Sequence, residues 1–364
     1  MTKRRLVKPD GRAVWLYAAG PIPESIEAPA PRGGPVVARP ELRWHPFRGE
    51  WVDYAGHRQE RTFLPPPDYD PLAPTRPGGE PTELPAGPWD VAVFENRFPS
   101  LVPNADAPAP GLVPTRPGRG ACEVVVYTQE GTGGLADLDQ ARVEMLIDVW
   151  ADRTEELGAR PEVQYVMPFE NRGVEVGATL QHPHGQIYAY PFVPPIPARE
   201  LEEERLHRER SGRGLLEEHV EAELGDGRRI LFAGDHVVAF VPVFARYPYE
   251  VWIATRAVVP SLPALDARQR AELARALRSV VGQYDALRAK PFPYVMVFHQ
   301  APTDGASHPE AHLHIEFYPP YRTPDRLKYL AGTEIGAGMF TNDALPEAKA
   351  AELRAAGKPE AAAR

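Results

Sequence analysis

The segment HPHGQ holds the side chains best suited to chemistry in this 364-residue chain. In an extended strand, alternate residues point to one side, which would place His182, His184 and Gln186 on one face. A neutral imidazole can attack phosphorus near pH 7, a second histidine can orient it, and a glutamine amide can donate to a phosphoryl oxygen. Pro183 favours a strand edge or a bend, and Gly185 is expected to let a bulky anion approach the backbone. A metal chelate or packed surface histidines would show the same spacing, so these alternatives stay open.

A second H-x-H segment, HLHIE, follows about 130 residues later. The same alternation places His312, His314 and Glu316 on one strand face, and His299 lies on the neighbouring predicted strand. Two imidazoles and a carboxylate suit a zinc or iron site. A hydrogen-bonded polar cluster is the equal alternative at this point.

Both H-x-H segments belong to a longer internal repeat. The matched segments are 122–129 with 249–256 and 135–146 with 262–273, both offset by 127, then 164–171 with 293–300, offset by 129, and 182–189 with 312–319, offset by 130. Their common order predicts a duplicated unit of about 130 residues. Each unit reads as strand, helix, strand, strand, and the charged stretch 198–224 is predicted to be a helical connector.

Composition limits the class of protein. The net charge of −9 disfavours non-specific nucleic-acid binding, because phosphate contacts need a basic field. Cys122 is the single cysteine, so no internal disulfide can form. No apolar run approaches the length of a membrane span, and the basic N-terminal segment lacks a secretory apolar core, so we expect a cytoplasmic protein without membrane association. Residues 62–90 hold nine prolines and are either a linker or a binding loop.

Taken together, four segments resemble the galactose-1-phosphate uridylyltransferase family of the histidine-triad superfamily. They are RWHPFRGEWVDYAGHRQER, VFENRFPSL, FENRGVEVGATLQHPHGQ and HLHIEFYPP, and the resemblance spans roughly 42–345. It implies an α+β fold of two fused histidine-triad-like halves, each an antiparallel sheet with packed helices. The expected divisions are an N-terminal half at 1–195, a C-terminal half at 196–345 and an Ala-rich tail at 346–364.

The resemblance also implies roles for individual residues. His184 matches the nucleophile that carries the uridylyl group, His182 orients it through its backbone, and Gln186 contacts the transferred phosphoryl group. The matches around the nucleotide are Arg58 and Arg61 at the diphosphate, Phe94 and Asn96 in the uracil and ribose pocket, and Asn171 and Thr179 near the phosphates. The matches in the hexose segment are Lys328, Tyr329, Gly332 and Glu334. In the family this segment and the arginines come from a partner subunit, so a homodimer with shared active sites is implied.

The family's metal sites match this chain unequally. Glu200, His299 and His314 match three ligands of an iron or zinc site, and Glu316 stands where the family has a fourth histidine. A second family site uses two cysteines, a downstream histidine and the first histidine of HPHGQ. Here those positions hold the residues Asp70, Ala73, Gly131 and His182. One imidazole cannot hold structural zinc, so we predict one zinc or iron ion per chain, structural in role, and no organic cofactor.

The implied activity is double displacement. UDP-glucose gives its uridylyl group to His184, and a hexose 1-phosphate, galactose 1-phosphate above all, then takes it. Thr333 and Phe340 depart from the family pattern in the hexose segment, which predicts a broader range of hexose 1-phosphates. The alternatives are another nucleotidyltransferase of the superfamily, such as a dinucleoside-polyphosphate phosphorylase, or a sugar-nucleotide binder without turnover.

Overall fold

The computed structural model describes residues 1–30, 34–60, 66 and 69–357, and these form sixteen strands and five α-helices. The strands are β1 (Thr2–Val7), β2 (Ala13–Ala18), β3 (Glu41–His45), β4 (Glu50–Tyr54), β5 (Val91–Glu95), β6 (Thr115–Pro117), β7 (Ala121–Val126), β8 (Tyr165–Arg172), β9 (His184–Tyr190), β10 (Ile230–Ala233), β11 (Val237–Phe240), β12 (Val251–Thr255), β13 (Tyr294–His299), β14 (His314–Tyr318), β15 (Tyr321–Thr323) and β16 (Arg326–Leu327). The α-helices are α1 (Gln140–Gly158), α2 (Pro195–Ser211), α3 (Leu215–Asp226), α4 (Ala267–Ala286) and α5 (Pro346–Ala356). None of these helices combines the length and the apolar character that crossing a membrane requires.

Eleven strands form one antiparallel sheet in the order β1-β2-β5-β7-β9-β8-β13-β14-β12-β11-β10. At its middle β8 pairs with β13, with Arg172 opposite Tyr294 and Phe169 opposite Val297. From this junction outward, β8, β9, β7 and β5 on one side mirror β13, β14, β12 and β11 on the other. The duplication expected from the sequence is confirmed, and the fold is α+β.

The strand registers place the repeat one residue away from the sequence match. Gln186 on β9 lies opposite Phe169, and Glu316 on β14 lies opposite Val297. The offset between β8 and β13 is therefore 128 rather than 129. A slip of one residue turns every side chain to the other face of a sheet. The equivalences that follow are Glu170 with Phe298 and Asn171 with His299.

The strand at 122–129 shows the same one-residue difference. Val124 and Trp252 are the partners of Gln186 and Glu316, which gives an offset of 128 rather than 127. Sequence similarity had placed Glu123 over Glu250 because both are glutamates. The registers instead match Glu123 with Val251.

Helices α1 and α4 cover the face of the sheet opposite His184 and His314, in one continuous apolar core. Both helices begin at an aspartate cap. The Asp139 and Asp266 side chains each accept a hydrogen bond of 2.8 Å from the backbone N–H three residues later. These caps lie 127 residues apart, so the helical part of the repeat keeps the offset read from the sequence.

The predicted connector at 198–224 is two helices rather than one. Gly212 ends α2 in the left-handed conformation at φ 76°, which a residue with a side chain rarely adopts. After a short turn, α3 packs on β11 and β12 through Leu216 and Val220, on the side of the sheet that carries Ala254. At the C-terminal end, residues 346–356 form α5, whose Ala350 and Leu353 are fully buried in the main core.

Candidate active site and metal cluster

His184 is the first residue of β9, and the backbone two residues earlier holds its imidazole. Its Nδ1 lies 2.7 Å from the carbonyl oxygen of His182. A carbonyl oxygen only accepts, so Nδ1 carries the proton and the lone pair of the neutral ring is on Nε2. Along β9, His184 and Gln186 are half-buried on one face, whereas Gly185 and Ile187 are buried. The strand thus presents a nucleophilic nitrogen beside a side-chain amide.

His182 lies in a bend before β9, so the expected common strand face holds only for His184 and Gln186. The His182 ring turns inward and is 3% exposed. Its Nδ1 lies 2.7 Å from Asp70 Oδ2, and its Nε2 lies 2.8 Å from the Thr128 carbonyl oxygen. The sequence did not indicate this contact, because Asp70 is 112 residues away and only the family resemblance singled out its position.

Hydrogen bonds, an ion pair and apolar packing hold the segment 69–90, which contains Asp70. Thr82 Oγ1 donates to the Ala73 carbonyl at 2.6 Å. Glu83 forms a buried ion pair with Lys8, and Leu72 and Leu84 lie in an apolar cluster with β2 and β5. Asp70 is therefore presented from an ordered segment.

Gly185 is required for a different reason from the one the sequence suggested. A Cβ at this position would lie 2.3 Å from the hydroxyl of Tyr127 and 2.8 Å from the carbonyl oxygen of Phe169. The Tyr127 hydroxyl donates at 3.3 Å to Glu170, which also accepts from Tyr294 at 3.2 Å. Burial raises the pKa of the Glu170 carboxyl to about 7. Strand β9 therefore rests on a buried polar network that leaves no room for a side chain at Gly185.

The other residues expected at the phosphates lie around Gln186. Its Oε1 accepts from Asn96 Nδ2 at 3.4 Å, which turns the amide NH₂ of Gln186 away from Asn96. Asn171 on β8 lies two residues beyond the residue paired with Gln186, at the level of His184. Thr179 lies half-buried in the loop that leads to the bend at His182.

A cavity of about 280 Å³ opens beside Asn96. Its walls include the side chains of Asp10, Arg12, Arg97, Leu101 and Cys122. Phe94, expected at the uracil, is 3% exposed. It lies in the apolar cluster that Leu72 and Leu84 form with β2 and β5, and Lys8 Nζ is 4.6 Å from its ring centroid. The cavity is of a size that admits a nucleoside.

Arg58 lies on the same face of the sheet within its own chain. Its guanidinium donates to the Phe98 carbonyl at 2.9 Å and to the Tyr188 hydroxyl at 3.3 Å. Tyr188 follows Gln186 by two residues on β9. Arg61 lies outside the described residues.

The segment expected at the hexose folds against the second half of the molecule, where Phe340 packs on Tyr247 at 5.7 Å between ring centroids. Glu334 accepts from the backbone N–H of Ala331 at 3.1 Å and from the Thr333 hydroxyl at 2.9 Å. Backbone and hydroxyl hydrogen bonds of this kind lower the pKa of Glu334 to about 2. Lys328 is buried and donates to the Thr341 carbonyl, whereas Tyr329 is 77% exposed and Gly332 is exposed.

Glu200, His299, His314 and Glu316 converge in the second half. Their candidate ligand atoms all lie within 4.8 Å of one another. Glu200 comes from α2, His299 ends β13, and His314 and Glu316 share a face of β14. This group is the set of four expected from the family comparison.

The cluster has the chemistry of a cation site. Nε2 of His314 lies 3.5 Å from one carboxylate oxygen of Glu316, and the Arg246 guanidinium lies 3.5 Å from the other. These three buried atoms make no well-formed hydrogen bond among the described residues. Burial lowers the pKa of His314, but the carboxylates of Glu316, Glu200 and Glu204 outweigh it and raise that pKa to about 9. Buried carboxylates that favour a positive charge on a neighbouring imidazole suit a cation site. The nitrogen and oxygen atoms of the cluster fit zinc or iron.

The cluster is remote from His184. His184 on β9 and His314 on β14 are separated by three strand spacings, which is roughly 14 Å. An ion held by the cluster could not contact a group bound to His184.

The chain is built from two fused sheet halves, each with an H-x-H segment that leads into a strand of the sheet. Residues 36–194 match the family described as "Galactose-1-phosphate uridyl transferase, N-terminal domain", and residues 200–361 match its C-terminal domain. The chain therefore belongs to the galactose-1-phosphate uridylyltransferase family.

Individual relatives agree with this assignment. The galactose-1-phosphate uridylyltransferase of Thermotoga maritima is 39% identical over 319 residues, covering 86% of this chain and 98% of the relative. That of Rattus norvegicus is 32% identical, covering 86% of both chains. A solved uridylyltransferase structure superimposes with a TM-score of 0.77 at 34% identity, covering 87% of this chain and 98% of that one.

Proposed function

We propose that this enzyme transfers a uridylyl group from UDP-glucose to hexose 1-phosphates, galactose 1-phosphate above all, through a covalent intermediate on His184. The observation that carries the proposal is the 2.7 Å contact between His184 Nδ1 and the His182 carbonyl. That contact fixes the tautomer whose Nε2 lone pair is the nucleophile. The family relationship supports the substrates.

Each half-reaction is an in-line displacement at the α-phosphorus. His184 Nε2 forms a bond to phosphorus, and the bond from phosphorus to the oxygen of glucose 1-phosphate breaks. A phosphate oxygen of the hexose 1-phosphate then attacks the same phosphorus and the P–N bond breaks, which gives the UDP-hexose. Splitting one displacement between two anions into two steps at a neutral nitrogen lowers the barrier.

The neighbouring side chains position the nucleotide. The NH₂ group of Gln186 is turned so that it can donate to a phosphoryl oxygen as charge develops there. Asn171, Thr179, Arg58 and Arg61 are proposed to contact the phosphates. The cavity beside Asn96 would take the uridine. Phe94 is proposed to contribute to the uracil site, although it lies buried in the apolar cluster next to the cavity.

Lys328, Tyr329, Gly332 and Glu334 are proposed to contact the hexose from a partner subunit. Exposed apolar side chains support a homodimer through this segment, since Tyr329, Ile335 and Met339 are 77%, 63% and 72% exposed. Arg48 donates to the Ile335 carbonyl at 3.4 Å, and the residue before it in the chain, Phe47, is 94% exposed. Apolar groups clustered at one surface are typical of a protein interface.

Glu200, His299, His314 and Glu316 would hold one zinc or iron ion per chain. Such an ion would cross-link α2 to β13 and β14. A cytoplasmic location, the absence of an organic cofactor and the division of the halves at 195/196 stay predictions.

Incubation with UDP-glucose followed by mass analysis of the denatured protein tests the proposal. We expect one uridylyl group per chain, located on the peptide that contains His184. His184→Ala should form no adduct and lose exchange between UDP-glucose and labelled glucose 1-phosphate by about 10⁴-fold or more.

Gln181→Ala is the matched control, because Gln181 is exposed in the same segment. It should form the adduct at the normal rate. Exchange that persists in His184→Ala would exclude His184 as the nucleophile.

A further inference from the structure

Both ring nitrogens of the buried His182 face acceptors. The Thr128 carbonyl oxygen, 2.8 Å from Nε2, can only accept, so Nε2 carries a proton. On the other side, Nδ1 and Asp70 Oδ2 are 2.7 Å apart and must share a proton. The contact with Asp70 therefore fixes the orientation of the His182 ring.

Asp70 is surrounded by donors. Burial raises the pKa of its carboxyl, but hydrogen bonds from His182 and from the backbone N–H groups of Leu72 and Ala73 outweigh it and hold the pKa below its usual range. The Leu72 N–H donates to Oδ1 at 2.9 Å. Asp70 is accordingly a carboxylate at neutral pH, and it is the acceptor for the hydrogen bond from His182 Nδ1.

The second half of the molecule shows that the fold does not require this pair. His312 corresponds to His182, and its Nε2 lies 2.8 Å from the Thr255 carbonyl oxygen. Its Nδ1 is buried without a hydrogen-bond partner in the part of the chain that the structure describes. An acidic anchor is therefore a feature of the half that carries the nucleophile.

The glycine at position 131 leaves room for the Asp70 carboxylate and the His182 ring. A Cβ at Gly131 would lie 3.0 Å from Asp70 Oδ2 and 3.6 Å from His182 Nδ1. A side chain there would crowd the carboxylate.

We propose that Asp70 is a positioning residue for His184, and this inference rests on the proposed function. Asp70 locks the His182 ring between two acceptors, which holds the bend at 182–183 and with it the His182 carbonyl. That carbonyl fixes the proton of His184 on Nδ1. Without the anchor, some molecules would carry the His184 ring proton on Nε2 instead of Nδ1. In that tautomer Nε2 has no free lone pair and cannot attack phosphorus.

The test compares Asp70→Ala with Thr82→Val. Thr82 stabilises the same segment through Ala73 and Thr75 but does not contact His182. Asp70→Ala should slow formation of the uridylyl adduct at saturating UDP-glucose by about 10- to 100-fold, with KM little changed. Nitrogen-15 NMR of the histidine rings should show His184 protonated on Nδ1 in the wild type and a mixture of tautomers in Asp70→Ala. Thr82→Val should lower Tm and alter neither readout.

Asp70→Asn separates the charge from the hydrogen bond. The Asn NH₂ can donate to an unprotonated Nδ1, so adduct formation should stay within about 3-fold of the wild type, since the anchoring hydrogen bond is kept. Nitrogen-15 NMR of this variant should still show the His184 proton on Nδ1. This comparison remains decisive if Asp70→Ala fails to fold.

Three results would overturn the inference. They are an Asp70→Asn variant in which the His184 proton moves to Nε2, a folded Asp70→Ala with the wild-type rate or the wild-type His184 tautomer, and a Thr82→Val variant that matches a slowed Asp70→Ala. A wild-type enzyme that forms no adduct would instead overturn the proposed function.

Discussion

The two halves of the sheet build the same hydrogen-bond framework around their H-x-H histidines. In each half a threonine carbonyl lies 2.8 Å from Nε2 of the first histidine, and the carbonyl of that histidine contacts Nδ1 of the second. The side chains placed on this framework differ. Gln186 and Asn171 in the first half correspond to Glu316 and His299 in the second. A few changes of side-chain type thus separate a neutral, half-open site from a charged, buried one.

Covering elements reinforce the difference. In the second half, Glu200 reaches over the strands from α2, and Trp252 stacks on the His314 ring with centroids 4.9 Å apart. His314 and Glu316 are 5% and 0% exposed. In the first half, His184 and Gln186 remain half-buried. Enclosure suits a structural ion with all its ligands from the protein, whereas a half-open face suits a substrate that must enter and leave.

Replacing Gln186 by glutamate, the residue type at the equivalent position 316, should give the largest effect on activity. Gln186→Glu places a carboxylate against the phosphoryl oxygens, so we expect uridylyl exchange to fall by more than in Gln186→Ala. Gln186→Ala removes one preorganised donor and should lower kcat by about 10²- to 10³-fold. Exchange assays on both variants measure this. Equal activity in Gln186→Glu and the wild type would show that Gln186 does not face the phosphates.

The converse change, Glu316→Gln, should abolish binding of the ion and leave uridylyl transfer at His184 intact. Elemental analysis should give one zinc or iron per chain in the wild type and much less in the variant. We expect the free energy of unfolding to fall by about 3–5 kcal/mol, because the remaining buried charges lose their partner. Adduct formation on His184 should persist below the lowered Tm.

Two metals per wild-type chain would contradict this distribution. So would an ion found beside His182 and Asp70, where the sequence offers a single imidazole.

A smaller effect concerns Glu170, which occupies the position of the apolar Phe298. Burial raises its pKa to about 7 in the folded state, above its ordinary value of 4.5. Stability is therefore lost as the pH rises from about 4.5 through 7, because the fold disfavours the ionised form. Glu170→Gln should be more stable than the wild type by about 1–3 kcal/mol at pH 8 and should show no such gain at pH 4.5.

Denaturant unfolding at both pH values measures this difference. Glu27→Gln, at an exposed position, should show no pH-dependent gain. A Glu170→Gln variant without a gain at pH 8 would mean that Glu170 ionises freely in the fold.

The smallest effect is expected in hexose selectivity. Thr333 donates to Glu334, and Phe340 packs on Tyr247, so neither supplies the polar contact that the family pattern would place there. Galactose 1-phosphate should be the preferred acceptor, with other hexose 1-phosphates used at kcat/KM values within about 10- to 100-fold. Competition assays with purified enzyme measure this, and rejection of every acceptor except galactose 1-phosphate would refute the breadth.

Much of this arrangement was visible in the sequence, because duplication leaves a local trace. Cap residues such as Asp139 and Asp266, the apolar stripes of α1 and α4 and the H-x-H segments lie within short windows. The strand registers were missed by one residue, since similar letters such as Glu123 and Glu250 need not share a face. The Asp70–His182 pair joins residues far apart in the chain, and its formation depends on how residues 69–90 pack. No local pattern could predict it.

The pairing of β8 with β13 at the middle of the sheet has a consequence for how the chain folds. Residues 165–172 are made more than a hundred residues before their partner at 294–299. Until that partner emerges, the first half carries an unpaired inner strand edge, which can pair with other chains. Contacts so distant in sequence also slow folding. His184 is therefore synthesised early, but β8, which flanks β9 and carries Asn171, becomes a paired inner strand only after nearly 300 residues have been translated.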